Sequence, residues 1–230
     1  MKIITKEIQE RTTPLEVLEI LQHGNQRFVK NLNAHRNLLE QVNETVKGQW
    51  PLATVLSCID SRTSAELIFD QGIGDIFSIR IAGNVVNADI LGSMEFACKI
   101  AGSKLLVVLG HTSCGAIKGA CDHVEMGNLT GLLAKIQPAI YQEKSVTDPS
   151  KRNSSNSTFV ENISVINVKR AVNSIIERSS VLKHMVKRGE IGIIGAMYNV
   201  ENGYVDFYPE TFQFNLTKVK LQSLMPNQLR

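Results

Sequence analysis

Two apolar patterns alternate along the chain. Short, nearly continuous apolar runs at Leu52 to Leu56, Leu105 to Leu109 and Ile191 to Met197 predict strands buried on both faces. Pro51 stands at the start of the first, where a missing N–H does least harm. Ile76 to Arg80 predicts another strand, and Tyr204 to Tyr208, after the Asn202-Gly203 turn, a short edge strand. Between these runs the apolar period changes to that of a helix. Leu15, Leu18, Leu21, Phe28 and Leu32 mark a helix over 13–32, opened by Thr13, Pro14 and the capping-box residue Glu16. Ile90, Leu91, Met94, Ala97 and Ile100 mark a second over 88–101, ended by Gly102. Val165, Val168, Val172, Ile175, Leu182 and Met185 mark a long helix over 165–187, stopped by Gly189. Helices are also predicted over 116–124 and 129–142, with a short one after Ser64, while the polar stretch 145–158 reads as an exposed loop.

Strands alternating with helices predict an α/β fold, a mainly parallel β-sheet flanked by helices. The 230 residues suit a single domain, with an N-terminal helical arm over about 1–45 and an α/β core over about 50–210. No internal repeat is present. Gly72 and Gly74 mark a turn; they lack the third glycine and the strand-to-helix setting of a dinucleotide site.

Composition narrows the function classes. A net charge of +3, with basic residues scattered or merely paired (Lys169-Arg170, Lys187-Arg188), argues against nucleic acid. No apolar stretch approaches the roughly 20 residues that span a bilayer, so no membrane role is expected. Met1 to Glu10 lacks a signal-peptide apolar core, and Cys58, Cys98, Cys114 and Cys121 do not form the pattern of a secreted disulfide framework. A reducing cytoplasm is therefore expected, and the Asn-x-Ser/Thr sites at Asn153, Asn156 and Asn162 read as chance.

The chemistry concentrates in two stretches. Ser57 to Arg62 follows the first apolar run, and Gly110 to Gly115 follows Leu105 to Leu109. Ligand sites in parallel sheets form beyond the carboxyl ends of strands, where both stretches fall. Cys58, His111 and Cys114 offer two thiolates and one imidazole, a set suited to Zn²⁺ with one position left for water. Two thiolates donate more charge than imidazoles do, so activation of that water is expected at somewhat higher pH unless neighbours compensate. Asp60 and Arg62, two residues apart, have the spacing of a bidentate carboxylate–guanidinium pair. Cys121 and His123 are read as a helix thiol and a surface imidazole, and His23, His35 and His184 as surface residues.

Cys58-x-Asp60-x-Arg62 followed by His111-x-x-Cys114 resembles the β-class carbonic anhydrases. The stretches Phe69 to Asp75 and Arg80 to Asn84 resemble that family's connecting segments, and the likeness runs over roughly residues 13 to 210. The resemblance implies a zinc lyase, with one Zn²⁺ per chain, that reversibly hydrates CO₂ to bicarbonate and a proton by zinc-bound hydroxide. It implies Cys58, His111 and Cys114 as ligands, with Asp60 orienting the nucleophile while Arg62 holds it. In some members the equivalent Asp ligates the metal instead, so the resemblance leaves Asp60 both roles. Carried over by position, Gln49 would bond bicarbonate, while Phe77, Ala82 and Phe96 would line a CO₂ pocket. At the Phe96 position some relatives have tyrosine. The Gly115 N–H would face substrate. A homodimer or larger even homo-oligomer is implied, with N-terminal helices packing across a partner. The competing readings are a zinc hydrolase of another small linear molecule such as CS₂, and a non-catalytic structural zinc protein. A redox role lacks its Cys-x-x-Cys.

Overall fold

The computed structural model describes residues 3–215. Three helices open the chain, α1 (Lys6–Arg11), α2 (Pro14–Val29) and α3 (Leu38–Glu44), and β1 (Ala53–Ser57), α4 (Ala65–Ile68) and β2 (Ile76–Arg80) follow. Next come α5 (Ala88–Glu95), continued by one π turn over Phe96–Ile100, and β3 (Leu105–His111). Helices α6 (Gly115–Cys121), α7 (Gly127–Leu133), α8 (Gln137–Gln142), α9 (Ser157–Arg178) and α10 (Ser180–Lys187) precede β4 (Gly192–Tyr198) and β5 (Val205–Gln213). Among the described residues no helix is long and apolar enough to cross a membrane.

The strands form one sheet in the order β2-β1-β3-β4-β5, parallel except for β5. Every residue of β1, β3 and β4 is buried, as their unbroken apolarity requires. Alternate residues serve opposite faces. Leu105, Val107 and Leu109 join Val17, Leu18, Leu21 and Phe69 on one side. Leu106 and Val108 join Met94, Val168, Val172 and Leu182 on the other.

Chain direction creates the site. From β1 the chain runs outward to β2, then crosses back to place β3 on the opposite flank of β1. The topological switch therefore lies between β1 and β3, where a parallel sheet leaves a crevice at its carboxyl edge. Register pairs Ser57 with Leu109. Cys58 thus leaves the sheet beside Gly110 and His111, although more than fifty residues separate them in the chain.

Several elements differ from expectation. The long helix begins earlier, at Ser157, where the Asn156 side chain accepts the Phe159 N–H. It breaks at Ser179, which turns to extended backbone, and the Ser179 hydroxyl oxygen accepts from Leu182 N–H to start α10. The expected helix over 129–142 is two helices, the second with a proline in its first turn. The edge strand is nine residues long rather than five, and antiparallel. Helices α1 and α3 lie within the helical arm expected over about 1–45, in which only α2 has a periodicity that places it. Gln9 anchors α1 by donating to the carbonyls of Pro51 and Ala101 at 2.7 and 2.8 Å.

Of the expected N-terminal arm, α2 faces the core. Its capping box is present at Thr13 and Glu16, and Asn25 ties it to Ile68, Gly203 and Val205. Helix α3 instead turns Leu38, Leu39 and Val42 outward. The tail beyond Asn215 lies outside the described residues.

Candidate metal centre

Cys58 is the first residue after β1, His111 closes β3, and Cys114 is the N-cap residue of α6. All three are buried, and one ligand atom from each lies within 4.8 Å of the others. The two sulfurs are 4.0 Å apart. His111 Nδ1 lies 2.9 Å from the Thr112 carbonyl oxygen, which makes Nδ1 the protonated nitrogen. Its Nε2, buried and without a hydrogen-bond partner, keeps a free lone pair aimed at the sulfurs. A buried acceptor left unpaired is costly. A divalent cation bound by this nitrogen and two thiolates would satisfy it, and two sulfurs with one nitrogen are soft enough for Zn²⁺.

The thiols prepare for such an ion. The hydrogen bond from Cys114 lowers the Cys58 pKa against the opposing effect of burial, and the Gly83 and Asp60 amides add to the lowering. Cys114, left beside that negative charge and buried, is pushed up. The two sulfurs thus hold a proton unevenly between them, and a cation bound by both would displace it.

Asp60 stands at the rim, with Oδ2 3.9 Å from His111 Nε2. Arg62 Nε and Nη2 donate to its two oxygens at 2.9 and 2.8 Å, holding the carboxyl well below the usual carboxylate range. Thr63 Oγ1 donates to the Cys58 and Asp60 carbonyls at 3.1 and 2.8 Å, closing the turn around both residues.

Three residues that support this geometry carry no local sequence signal for it. Arg80, at the end of β2, donates through Nε to the Cys58 carbonyl at 3.1 Å and through Nη2 to the Asp60 carbonyl at 2.6 Å. Its place at a strand's carboxyl end is where such sites generally form, not a signal particular to Arg80. Glu161 of α9 accepts from the Ser113 N–H at 2.9 Å. Ser113, between two ligands, has a left-handed φ of 55°, which a serine holds only with support. Asn167, also of α9, reaches Gly83.

The other expected site residues are more dispersed. Ala82 shares a turn with Gly83, whose N–H lies 3.4 Å from Cys58 Sγ. Phe77 is half-buried in β2, in register with Thr54. Gly115 opens α6, and an added Cβ there would meet nothing within 4 Å. Gln49 is exposed next to Gly74, and Phe96, on the π turn after α5, is 55% exposed. Burial pushes the Cys98 thiol up to about 12 and the Cys121 thiol up to about 11, as befits core residues.

Comparison with known proteins agrees with this geometry. A family model described as carbonic anhydrase matches residues 53–205. Carbonic anhydrase 2 of Mycobacterium tuberculosis is 32% identical over 198 residues, covering 84% of this chain and 91% of that protein. The carbonic anhydrase of Mycolicibacterium smegmatis is 30% identical over 201 residues, covering 85% and 93%. Among solved structures, the β-carbonic anhydrase CafA of Aspergillus fumigatus aligns with a TM-score of 0.65 at 27% identity, covering 74% of this chain and 81% of that one. One of two β-carbonic anhydrases of Sordaria macrospora, described as tetrameric, shares the fold with a TM-score of 0.65 at 20% identity, covering 84% and 97%. Two thiolates and an imidazole at the switch point of this sheet, matched over most of the chain, have one consistent assignment: the chain belongs to the carbonic anhydrase family, in its β class.

Proposed function

We propose that the chain catalyses the reversible hydration of CO₂ to bicarbonate and a proton, with one Zn²⁺ held by Cys58, His111 and Cys114. The observation that carries this reading is the buried, unpartnered Nε2 of His111 facing two cysteine sulfurs, with an ionised carboxylate 3.9 Å away. When bound, the metal supplies the Lewis acidity that makes water a nucleophile near neutral pH.

The chain's own residues supply orientation. Asp60, kept anionic by Arg62, is an acceptor for the attacking oxygen's proton and aims its lone pair at carbon. With both carboxylate oxygens engaged by Arg62, Asp60 serves as this acceptor rather than as a fourth ligand. Phe77, Ala82 and Phe96 offer the apolar surface that an uncharged linear gas prefers, and Gln49 and the Gly115 N–H offer polar contacts for bicarbonate. No histidine lies ready as a shuttle, so buffer or a chain of waters takes the proton away.

Leu38, Leu39 and Val42 face outward on α3, and Val46, Phe96 and Ile100 are exposed as well. They support a homodimer or larger even assembly in which Phe96 and Gln49 are covered. Four free, buried cysteines fit a reducing cytoplasm.

Stopped-flow measurement of CO₂ hydration by zinc-loaded protein tests the proposal. Turnover rising with pH is expected. Absence of CO₂ hydration at full zinc occupancy would overturn it, and CS₂ hydrolysis in its place would redirect the same residues to that substrate.

A further inference from the structure

Building on the three-ligand metal reading, we propose that Asn167 is a positioning residue. From α9 it fixes the turn at Gly83 so that the Gly83 N–H stays bonded to the sulfur of Cys58.

Gly83 sits in the turn Ala82–Asn84 with a left-handed φ of 66°. Its N–H donates to Cys58 Sγ at 3.4 Å, in buried surroundings. Its carbonyl accepts from Asn167 Nδ2 at 2.9 Å, also buried, from a residue 84 positions further along the chain. An added Cβ at Gly83 would come within 2.8 Å of Ile136 Cδ1 and 3.3 Å of Ala116 Cβ. The backbone sign favours glycine, and an added Cβ would press on both side chains. The Asn84 N–H closes the turn on the Ile81 carbonyl at 2.9 Å, but that bond leaves the φ of Gly83 unfixed, since glycine visits either sign with almost equal ease. The contact at its carbonyl selects the one conformation that turns the N–H toward sulfur.

The position of Asn167 fits this task. It is only 6% exposed, on a helix face whose neighbours Val168, Ala171 and Val172 pack into the core. An amide on such a face is expensive unless it meets a partner, and the partner is the Gly83 carbonyl. The same helix sends Glu161 to Ser113. Helix α9 thus braces two segments at the site, the Gly83 turn beside Cys58 through a carbonyl and the loop of His111 and Cys114 through an N–H.

The consequence is electronic as well as geometric. A thiolate that accepts an N–H bond donates less charge to its metal, and hydrogen bonds from outside the ligand shell tune a centre in this way. Two thiolates otherwise weaken the Lewis acidity of the ion. The Gly83 bond counters that weakness at one of them, and Asn167 keeps the bond in place.

Loading the full-length protein with NMR-active cadmium and, separately, with Co²⁺ tests this. In the wild type, scalar coupling between the Gly83 amide proton and cadmium, carried through Cys58 Sγ, is expected; its absence with cadmium bound overturns the proposal. In Asn167→Leu the coupling should vanish, the thiolate-to-cobalt charge-transfer band should move to longer wavelength, and cobalt affinity should fall about 10- to 100-fold. Ser164→Ala, on the same helix with its hydroxyl on the Val160 carbonyl, should keep the wild-type spectrum. If Asn167→Leu does not fold, Asn167→Ser, whose hydroxyl is too short to span the contact, carries the same measurement. A wild-type band and affinity with only a lowered melting temperature would reduce Asn167 to a structural role and overturn the proposal. Failure of the wild type to take up either metal would overturn the metal reading instead.

Discussion

Arg62 and Asp60 meet through three hydrogen bonds: Arg62 backbone N–H and Nε both donate to Oδ1, at 3.0 and 2.9 Å, and Nη2 donates to Oδ2 at 2.8 Å. The carboxylate near the metal ligands is therefore held in one orientation and in its charged form. Asp60→Asn and Arg62→Ala should each lower kcat for CO₂ hydration by about 10²-fold, the scale of a lost proton acceptor. Zinc content should be unchanged. Stopped-flow rates equal to wild type in both variants would remove the role proposed for the pair.

Zinc analysis of the purified protein should find about one ion per chain, the stoichiometry of a single three-ligand site. Cys58→Ala, His111→Ala and Cys114→Ala should each lose it. A chelator should abolish hydration in the wild type, and added Zn²⁺ should restore it. Retention of metal in all three variants would place the site elsewhere.

Arg80 spans two carbonyls, which a single ammonium cannot imitate. Arg80→Lys should weaken zinc affinity about 10- to 100-fold, as loss of a supporting contact does. Glu161→Ala should do likewise by leaving the Ser113 N–H without its acceptor, while Glu161→Gln, which keeps an acceptor oxygen, should bind near normally. Competition with a chromophoric chelator measures each affinity. Equal affinities across the series would show that the loops hold themselves.

Asp70 is buried under Arg27 and Arg36, with its side chain 1% exposed. Burial alone would raise its pKa, but hydrogen bonds from the two arginines and the Ala34 N–H outweigh that and lower it below 3.8. A depressed folded-state pKa gives stability that is complete above the unfolded value of ~3.9 and disappears as pH falls through the folded one. Asp70→Asn should cost about 3–5 kcal/mol at neutral pH, the scale of a broken buried pair. Urea unfolding should show the wild type losing that advantage on acidification below about pH 4. An equal difference between the two proteins at pH 7 and pH 3 would contradict this account.

The outward face of α3 carries the assembly proposal. Leu39→Glu combined with Val42→Glu should shift the protein to a smaller species, read by light scattering on a sizing column. These residues are 71% and 46% exposed, so the folded chain itself should lose less than about 0.5 kcal/mol. An unchanged mass would move the interface elsewhere.

Periodicity located most of the fold because burial of whole strands leaves an unmistakable apolar run, as at Leu105 to Leu109. It failed where a single polar contact decides. The break at Ser179 depends on its hydroxyl, which accepts from Leu182 and donates to Glu95, a residue 84 positions away. Helix α3 was announced only by Asn37, whose side chain accepts the Glu40 N–H, and its apolar residues face outward.

The sequence by itself picked out the candidate ligands, because three side chains of the right softness sit just beyond two recognisable strands. It also determined the Asp60–Arg62 pair, since two residues on one turn meet without help from the rest of the chain. Only the tertiary structure decided that those strands are neighbours in a register that sets Ser57 beside Leu109. Only it brought Arg80 and Glu161 onto backbone groups of the ligand loops, and Asn167 onto the Gly83 turn beside Cys58. Local residues can state which atoms bind, but a carbonyl or an N–H looks the same at every position. Which of them receives a distant side chain is set by packing alone.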